Sequence, residues 1–391
     1  MNTAETSIPG IERLEKPALV GGLAALVLCA ALGFRDPTQF FRSYLLAFVF
    51  WIGLPLGCSA ILMLHHMVGG TWGFPLRRPL ESGTKTFFLM AVLVLPILFR
   101  LPVLYSWADP GKVQADPLLQ YKHLFYLNVP FFVARTVIYF ALWLSLAYFL
   151  NKWSRQQDET GDAGLTSRLQ HLSAPGLLIF GLTVTFASMD WVMSLEPHWT
   201  STIYSMIFMV SQALAAMSVV TVTVILLSKE RLLSGLVSRQ VLNDYGNLLL
   251  TFTMLWAYLS FSQFLIIWGG NQREEIPWYL TRARGGWTSV ALILIIFHFA
   301  VPFLLLLTRF VKRRAEILGW VAAGLIAMSL VDVFWLTAPA FEHAGPEFHL
   351  TDWLAILGIG GLWLWRYTSQ LKGRPLLPLH DPRLKEIMQH A

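Results

Sequence analysis

Charge is scarce in this sequence. Of its 391 residues 13% are Asp, Glu, Lys or Arg, while 55% are hydrophobic, and the mean hydropathy is +0.57. A soluble globular chain carries about a quarter charged residues, so that class is excluded. Cysteine is scarcer still, at two. Cys29 and Cys58 cannot hold an iron–sulfur cluster between them, and no CxxCH string offers a covalent haem attachment. Long polar stretches are missing as well. The longest loops, 107–128 and 151–173, run to about twenty residues each, too short for a soluble catalytic domain. Any chemistry the chain supports therefore belongs inside an apolar phase or to partners.

What is present is a series of long, nearly charge-free runs, the pattern of an all-α polytopic membrane protein. They predict about ten transmembrane helices, at 17–34, 43–66, 85–106, 129–150, 174–194, 203–227, 246–268, 288–309, 315–337 and 353–371. Residues 17–371 form a single membrane domain between an N-terminal segment, 1–16, and a tail, 372–391. The N-terminal segment mixes Glu5, Glu12 and Glu15 with Arg13 and Lys16, unlike the positive region of a signal peptide, so a retained first helix is expected. Twenty of the 29 Lys and Arg fall on the side that carries both termini, and seven on the other. That asymmetry places both termini in the cytoplasm, and the opposite side is the periplasm if the cell is Gram-negative. The net charge of +6 reports this topology; no nucleic-acid partner is implied.

The informative residues are ionisable groups within or beside the spans, where an unpaired charge costs roughly 2.5–3.5 kcal/mol. Arg100, Arg135, Asp190 and Asp332 all fall in the predicted outer third. Two positive and two negative groups at one depth suggest a shared network, with Asp190 turned towards Arg100 or Arg135. Two readings stay open: a neutral brace between helices, or the edge of a cavity that handles protons or a quinol head group. His298, mid-way along the eighth span, has a ring suited to proton transfer but is equally a helix-to-helix hydrogen-bonding residue. A b-type haem is not expected, because His65 and His66 sit near the cytoplasmic end of the second span, well away in depth from His298. Metal ligands are not expected either.

Tyr258, Ser260, Ser262 and Gln263 are helix-to-helix polar contacts or candidates to receive a quinone carbonyl. Glu274 and Glu275, ahead of the amphipathic string IPWYL, are candidates for docking a partner on the outer surface. The turn 190–204, DWVMSLEPHWTSTIY, reads as an outward hairpin: Pro197 ends the fifth span, Thr200 to Thr202 cap the sixth, and Glu196 and His198 lie at the headgroup level. The fifth span ends MDWVMSLEPH and the ninth ends VDVFWLTAPAFEH. This weak echo suggests two parallel four-helix repeats, at 43–194 and 203–337, with 17–34 and 353–371 peripheral.

Two strings, FASMDWVMSLEPHWTSTIYSMIF (186–208) and LLLTFTMLWAYLSFSQFLIIWGGNQREEIPWYLTRARGGW (248–287), resemble a membrane subunit of bacterial alternative complex III. That is the quinol:cytochrome c (or other high-potential acceptor) oxidoreductase unrelated to cytochrome bc1, and the match is to its second NrfD-like subunit. The resemblance implies an NrfD/polysulfide-reductase-like fold, two four-helix bundles plus peripheral helices. It also implies partners: another NrfD-like subunit, an iron–sulfur subunit, multihaem and monohaem cytochromes c, membrane lipids and, further out, a terminal oxidase. Haem and iron–sulfur clusters would sit on those partners, leaving quinol or quinone as this chain's expected ligand. Its motif positions here are Asp190, Glu196, His198, Ser262, Gln263, Glu274 and Glu275, none with a role that the residues alone assign. The function implied is support of quinol oxidation, with proton translocation as a further expectation. The alternatives are a purely structural anchor of such a complex and, more remotely, a stand-alone secondary transporter.

Overall fold

The computed structural model describes residues 9–228, 237–372, 375–378 and 380–384. Residues 1–8 of the N-terminal segment, part of the basic connection after the sixth span, and 385–391 of the tail lie outside the described residues. Every regular element among the described residues is helical. Ten long helices organise the chain: α1 (Pro9–Gly33), α2 (Pro37–Val68), α3 (Gly73–Phe99), α4 (Val129–Thr160), α5 (Gly164–Trp191), α6 (Tyr204–Ser228), α7 (Arg239–Gly270), α8 (Trp287–Leu307), α9 (Ala315–Thr337) and α10 (Leu350–Leu371).

Nine of them, α1 to α9, are long and apolar enough to cross a membrane, so the architecture is that of a polytopic helical membrane protein. The tenth expected span, α10, falls short of that measure. At about 1.5 Å per residue α10 extends roughly 33 Å, but Asp352, Arg366 and Gln370 dilute its apolarity.

Local chemistry sets the ends. Asp36 accepts a hydrogen bond from the Gln39 amide (3.0 Å) ahead of Pro37, Asn128 accepts from the Phe131 amide (3.0 Å), and Ser238 accepts from the Val241 amide (3.3 Å). Gly161 (φ 69°) and Asn271 (φ 48°) close α4 and α7 in the left-handed region. The hairpin after α5 is not ended by Pro197. Helical geometry stops at Trp191, a 3-10 turn follows at Met193–Leu195, and α6 begins at Tyr204.

α2 and α6 are the core, with 89% and 72% of their spanning windows buried. They approach closely because Gly53 and Gly57, four apart on α2, face Gln212 and Ala216, four apart on α6. α2 to α5 pack together, α6 to α9 pack together, and the two groups meet along α2 and α6. α10 runs antiparallel to α1, Gly22 lying against Gly358 and Gly361, and covers α2.

α3 departs from the expected span. It starts at Gly73, twelve residues before the expected start at 85, and its first turns, GFPLRRPLESGT, are buried throughout. The charged string that reads as a loop is a helix seated in the core.

Candidate functional site

Arg135 and Tyr139 are one turn apart on α4 and face the last turn of α5. Arg135 grips Asp190 with two hydrogen bonds, Nε to Oδ2 and Nη2 to Oδ1, both 2.8 Å, and the Tyr139 hydroxyl donates to Oδ2 at 2.7 Å. The guanidinium also donates to the Tyr126 carbonyl (3.1 Å) and lies over the Tyr126 and Phe131 rings, 3.9 and 4.2 Å from their centroids. Asp190 is fully buried, and its charge is matched within the fold.

Arg100 takes no part in this pair. It sits where α3 breaks (φ −135°, ψ 35°) and is exposed, so the expected choice between Arg100 and Arg135 falls to Arg135.

Asp332 is separate as well, which overturns the single four-charge network. Its carboxyl is buried between α6, α7 and α9, and accepts from the Ser211 hydroxyl (2.5 Å) and the Trp256 indole (3.3 Å). Among the described residues no cation lies within ion-pair distance of it. His298 packs edge-on against the same Trp256, ring centroids 4.4 Å apart. A seven-residue π-helical turn in α8, Leu294–Ala300, carries His298; such turns often mark functional positions. Neither His298 nitrogen has a partner among the described residues, and each such buried atom costs about 1–3 kcal/mol.

A third group lies at the hairpin. Glu196 pairs with Arg282 (2.8 Å), a fully buried side chain that stacks on Trp278, 3.7 Å from the ring centroid, and donates to the Trp335 carbonyl (3.3 Å). His198 Nε2 meets Asp116 at 2.6 Å in an exposed contact. Slight desolvation there opposes ionisation, but the His198 hydrogen bond and the Leu118 and Leu119 amides outweigh it and hold the Asp116 carboxyl below its usual range. Gln263 is buried; it accepts from the Ser201 hydroxyl (3.0 Å) and reaches the Tyr279 hydroxyl with its amide (3.4 Å). Burial pushes the Tyr279 phenol up to about 12.

Beside these residues opens a cleft of about 520 Å³, between α5, α7 and the hairpin. Phe186, Met189, Met193 and Ile266 contribute apolar lining, and Lys122, Ser201, Gln263 and Glu275 contribute polar lining. No protein-family model matches the chain, and no curated protein matches it.

The remaining expected residues disperse. Tyr258 points outward at 66% exposure, which removes it from any internal polar site, and Ser260 and Ser262 are half-buried. Glu274 is exposed, while Glu275 lines the cleft. IPWYL does form a short helix, Ile276–Arg282, its Trp278 turned inward.

Sequence reasoning missed the largest buried charge cluster, at the end where the termini meet. Arg77 holds Glu81 (3.1 Å) and Asp381 (2.9 Å), and Arg78 holds Glu81 (2.7 Å) and Asp158 (2.5 Å). Ser154 and Gln157 of α4 accept from the same guanidinium groups. Burial would push the Asp381 carboxyl up, but Arg383 and Arg77 outweigh it and hold it below the usual range. The available signal was the Arg–Glu spacing of three and four residues in RRPLE, which suits pairs on one helix face.

Proposed function

We propose that this chain is an integral membrane subunit of a quinol:cytochrome c (or other high-potential acceptor) oxidoreductase of the alternative complex III type, NrfD-like in fold, in a bacterial inner membrane. Its task is to support quinol oxidation in an electron-transport chain whose haem and iron–sulfur centres sit on partner subunits.

The observation that carries this reading is the cleft at the hairpin. A quinol is amphipathic, with a ring that exchanges two hydrogen bonds and an apolar tail. The cleft lining combines the same two chemistries, Gln263 and Ser201 beside Phe186, Met189 and Ile266, and its volume falls in the usual range for small-molecule sites.

Proton handling belongs to the second bundle. Protonating Asp190 would strand the Arg135 guanidinium, whereas protonating Asp332 strands no partner charge, so Asp332 is the carboxyl free to exchange a proton. His298, edge-on against Trp256, extends that position towards α8.

The test is purification from native membranes through a tag on this chain, followed by quinol titration. Haem c absorbance and an iron–sulfur signal should co-elute with it. Gln263→Leu should raise the KM for quinol about tenfold, the loss expected for one buried hydrogen bond to a ligand, at unchanged complex yield. Recovery of the chain alone would overturn the reading, and an unaltered KM would remove the cleft from it.

A further inference from the structure

His65 and His66, in the last turn of α2, are fully buried, and none of their four ring nitrogens makes a hydrogen bond of normal geometry among the described residues, although the Gly69 backbone lies within reach of the His65 ring. Their walls are close. Trp72 and Phe74 meet the His65 ring edge-on, centroids 5.2 and 5.5 Å away, and a Cβ on Gly73 would lie 1.8 Å from His65 Nδ1. Nearby donors are committed elsewhere: Arg77 to Glu81, Asp381, Ser154 and Gln157, and Arg383 to Asp381 and the His66 carbonyl.

The tail lies across this spot. Asp381 is fully buried between Arg77 and Arg383, 2.9 Å from each, and Leu376, Leu377 and Leu384 are buried beside it. Arg78 donates to the Pro375 carbonyl (3.1 Å), and His380 Nδ1 meets the Asp158 carbonyl at 2.7 Å. Among the described residues, α2, α3 and the end of α4 thus hold residues 375–378 and 380–384 through polar contacts.

Chemistry narrows what satisfies the two rings. A neutral imidazole presents one N–H and one lone pair. A cation would serve the lone pairs alone and an anion the N–H groups alone; water serves both. We propose that His65 and His66 line an internal water site, and that residues 375–378 and 380–384 are the strap that separates it from bulk solvent. Asp381 is the clasp, since it is the strap carboxylate that α3 holds. This inference does not depend on the quinol reading.

Radiolytic hydroxyl-radical footprinting, read by mass spectrometry on the native complex, tests it. Radicals formed from internal water oxidise the side chains around it, so a hydrated pair is labelled despite its burial and a dry one is not. His65 and His66 should be labelled in the unchanged protein. In Asp381→Asn their labelling should rise on the order of tenfold or more, because a buried pair broken on one side is strongly weakened, while Trp278 at the far end stays constant. No labelling of the two residues in either protein would overturn the water site. Equal labelling in both would overturn the strap. Should Asp381→Asn loosen the whole fold, seen as a rise at Trp278, Arg383→Gln decides by the same two criteria.

Discussion

Two aspartates that look alike in sequence differ in the company they keep, and that difference predicts opposite mutant behaviour. Asp190→Asn leaves Arg135 buried without its counter-charge, a loss of about 3–5 kcal/mol, a large share of the about 5–15 kcal/mol that holds a typical fold. The yield of intact protein should therefore collapse, measured by size-exclusion recovery from membranes. Asp332→Asn keeps an acceptor oxygen for Ser211 and Trp256, so yield should stay within about twofold. If Asp332 exchanges protons, quinol turnover or proton release should fall by about 10² or more, as for loss of a general acid–base group. Normal turnover and proton release in the assembled Asp332→Asn protein would end the relay idea. The sequence marked Arg100, Arg135, Asp190 and Asp332 because charges within or beside apolar runs stand out. It could not sort them, since Arg100 is turned outward by a backbone break and Asp332 is partnered by neutral donors from two other helices. Glu196 was visible, but its partner Arg282 was hidden among ordinary loop charges.

At the scale of elements, the two bundles meet through small residues rather than interlocking large ones. A methyl group on Gly57 would lie 2.2 Å from the Gln212 carbonyl oxygen and 2.5 Å from the Ala216 Cβ, whereas one on Gly181 in α5 meets nothing within 4 Å. Gly57→Ala should then cost about 1–3 kcal/mol by overpacking. Gly181→Ala should be neutral or stabilising by up to about 1 kcal/mol, as in any open helix interior. Thermal unfolding of both variants in one detergent checks the pair; equal melting temperatures would mean the α2–α6 crossing is loose. Hydropathy made the helices themselves readable, because each apolar run must satisfy its own backbone hydrogen bonds. The early start of α3 was not readable. Arg77, Arg78 and Glu81 resemble a polar loop until their partners on α4 and in the tail are known, and those lie some eighty and three hundred residues away. The π-helical turn at His298 leaves no mark in LIIFHFA that separates it from ordinary helix.

At the scale of the whole molecule, the first and last of the long helices are tied together. α1 and α10 run antiparallel, and Lys372 pairs with Glu15, so the start of α1 and the end of α10 lie at one end of the bundle. The Arg77–Asp381–Arg383 clasp sits at that end too, and its pH dependence has a definite sign. Asp381 is held below its unfolded value of about 3.9, so its contribution is fully present above that value and lost as pH falls through the lower, folded one. Protease sensitivity of the tail should be flat from neutral pH to about 5 and rise at more acid pH, and Asp381→Asn should remove the acid step. The same geometry decides the uncertain helix. If α10 crosses the membrane despite Asp352 and Arg366, reporters fused at the N-terminus and after Ala391 must report the same compartment, and the Lys/Arg asymmetry makes it the cytoplasm. If α10 instead lay along a surface, nine crossings would leave the two reporters in opposite compartments, with the tail outside. Phe348, exposed at the start of α10, lies outside in both cases, so the pair of reporters decides: agreement requires a crossing of the full 22-residue helix, and disagreement would leave nine spans and detach the tail from the side that the charges assign it.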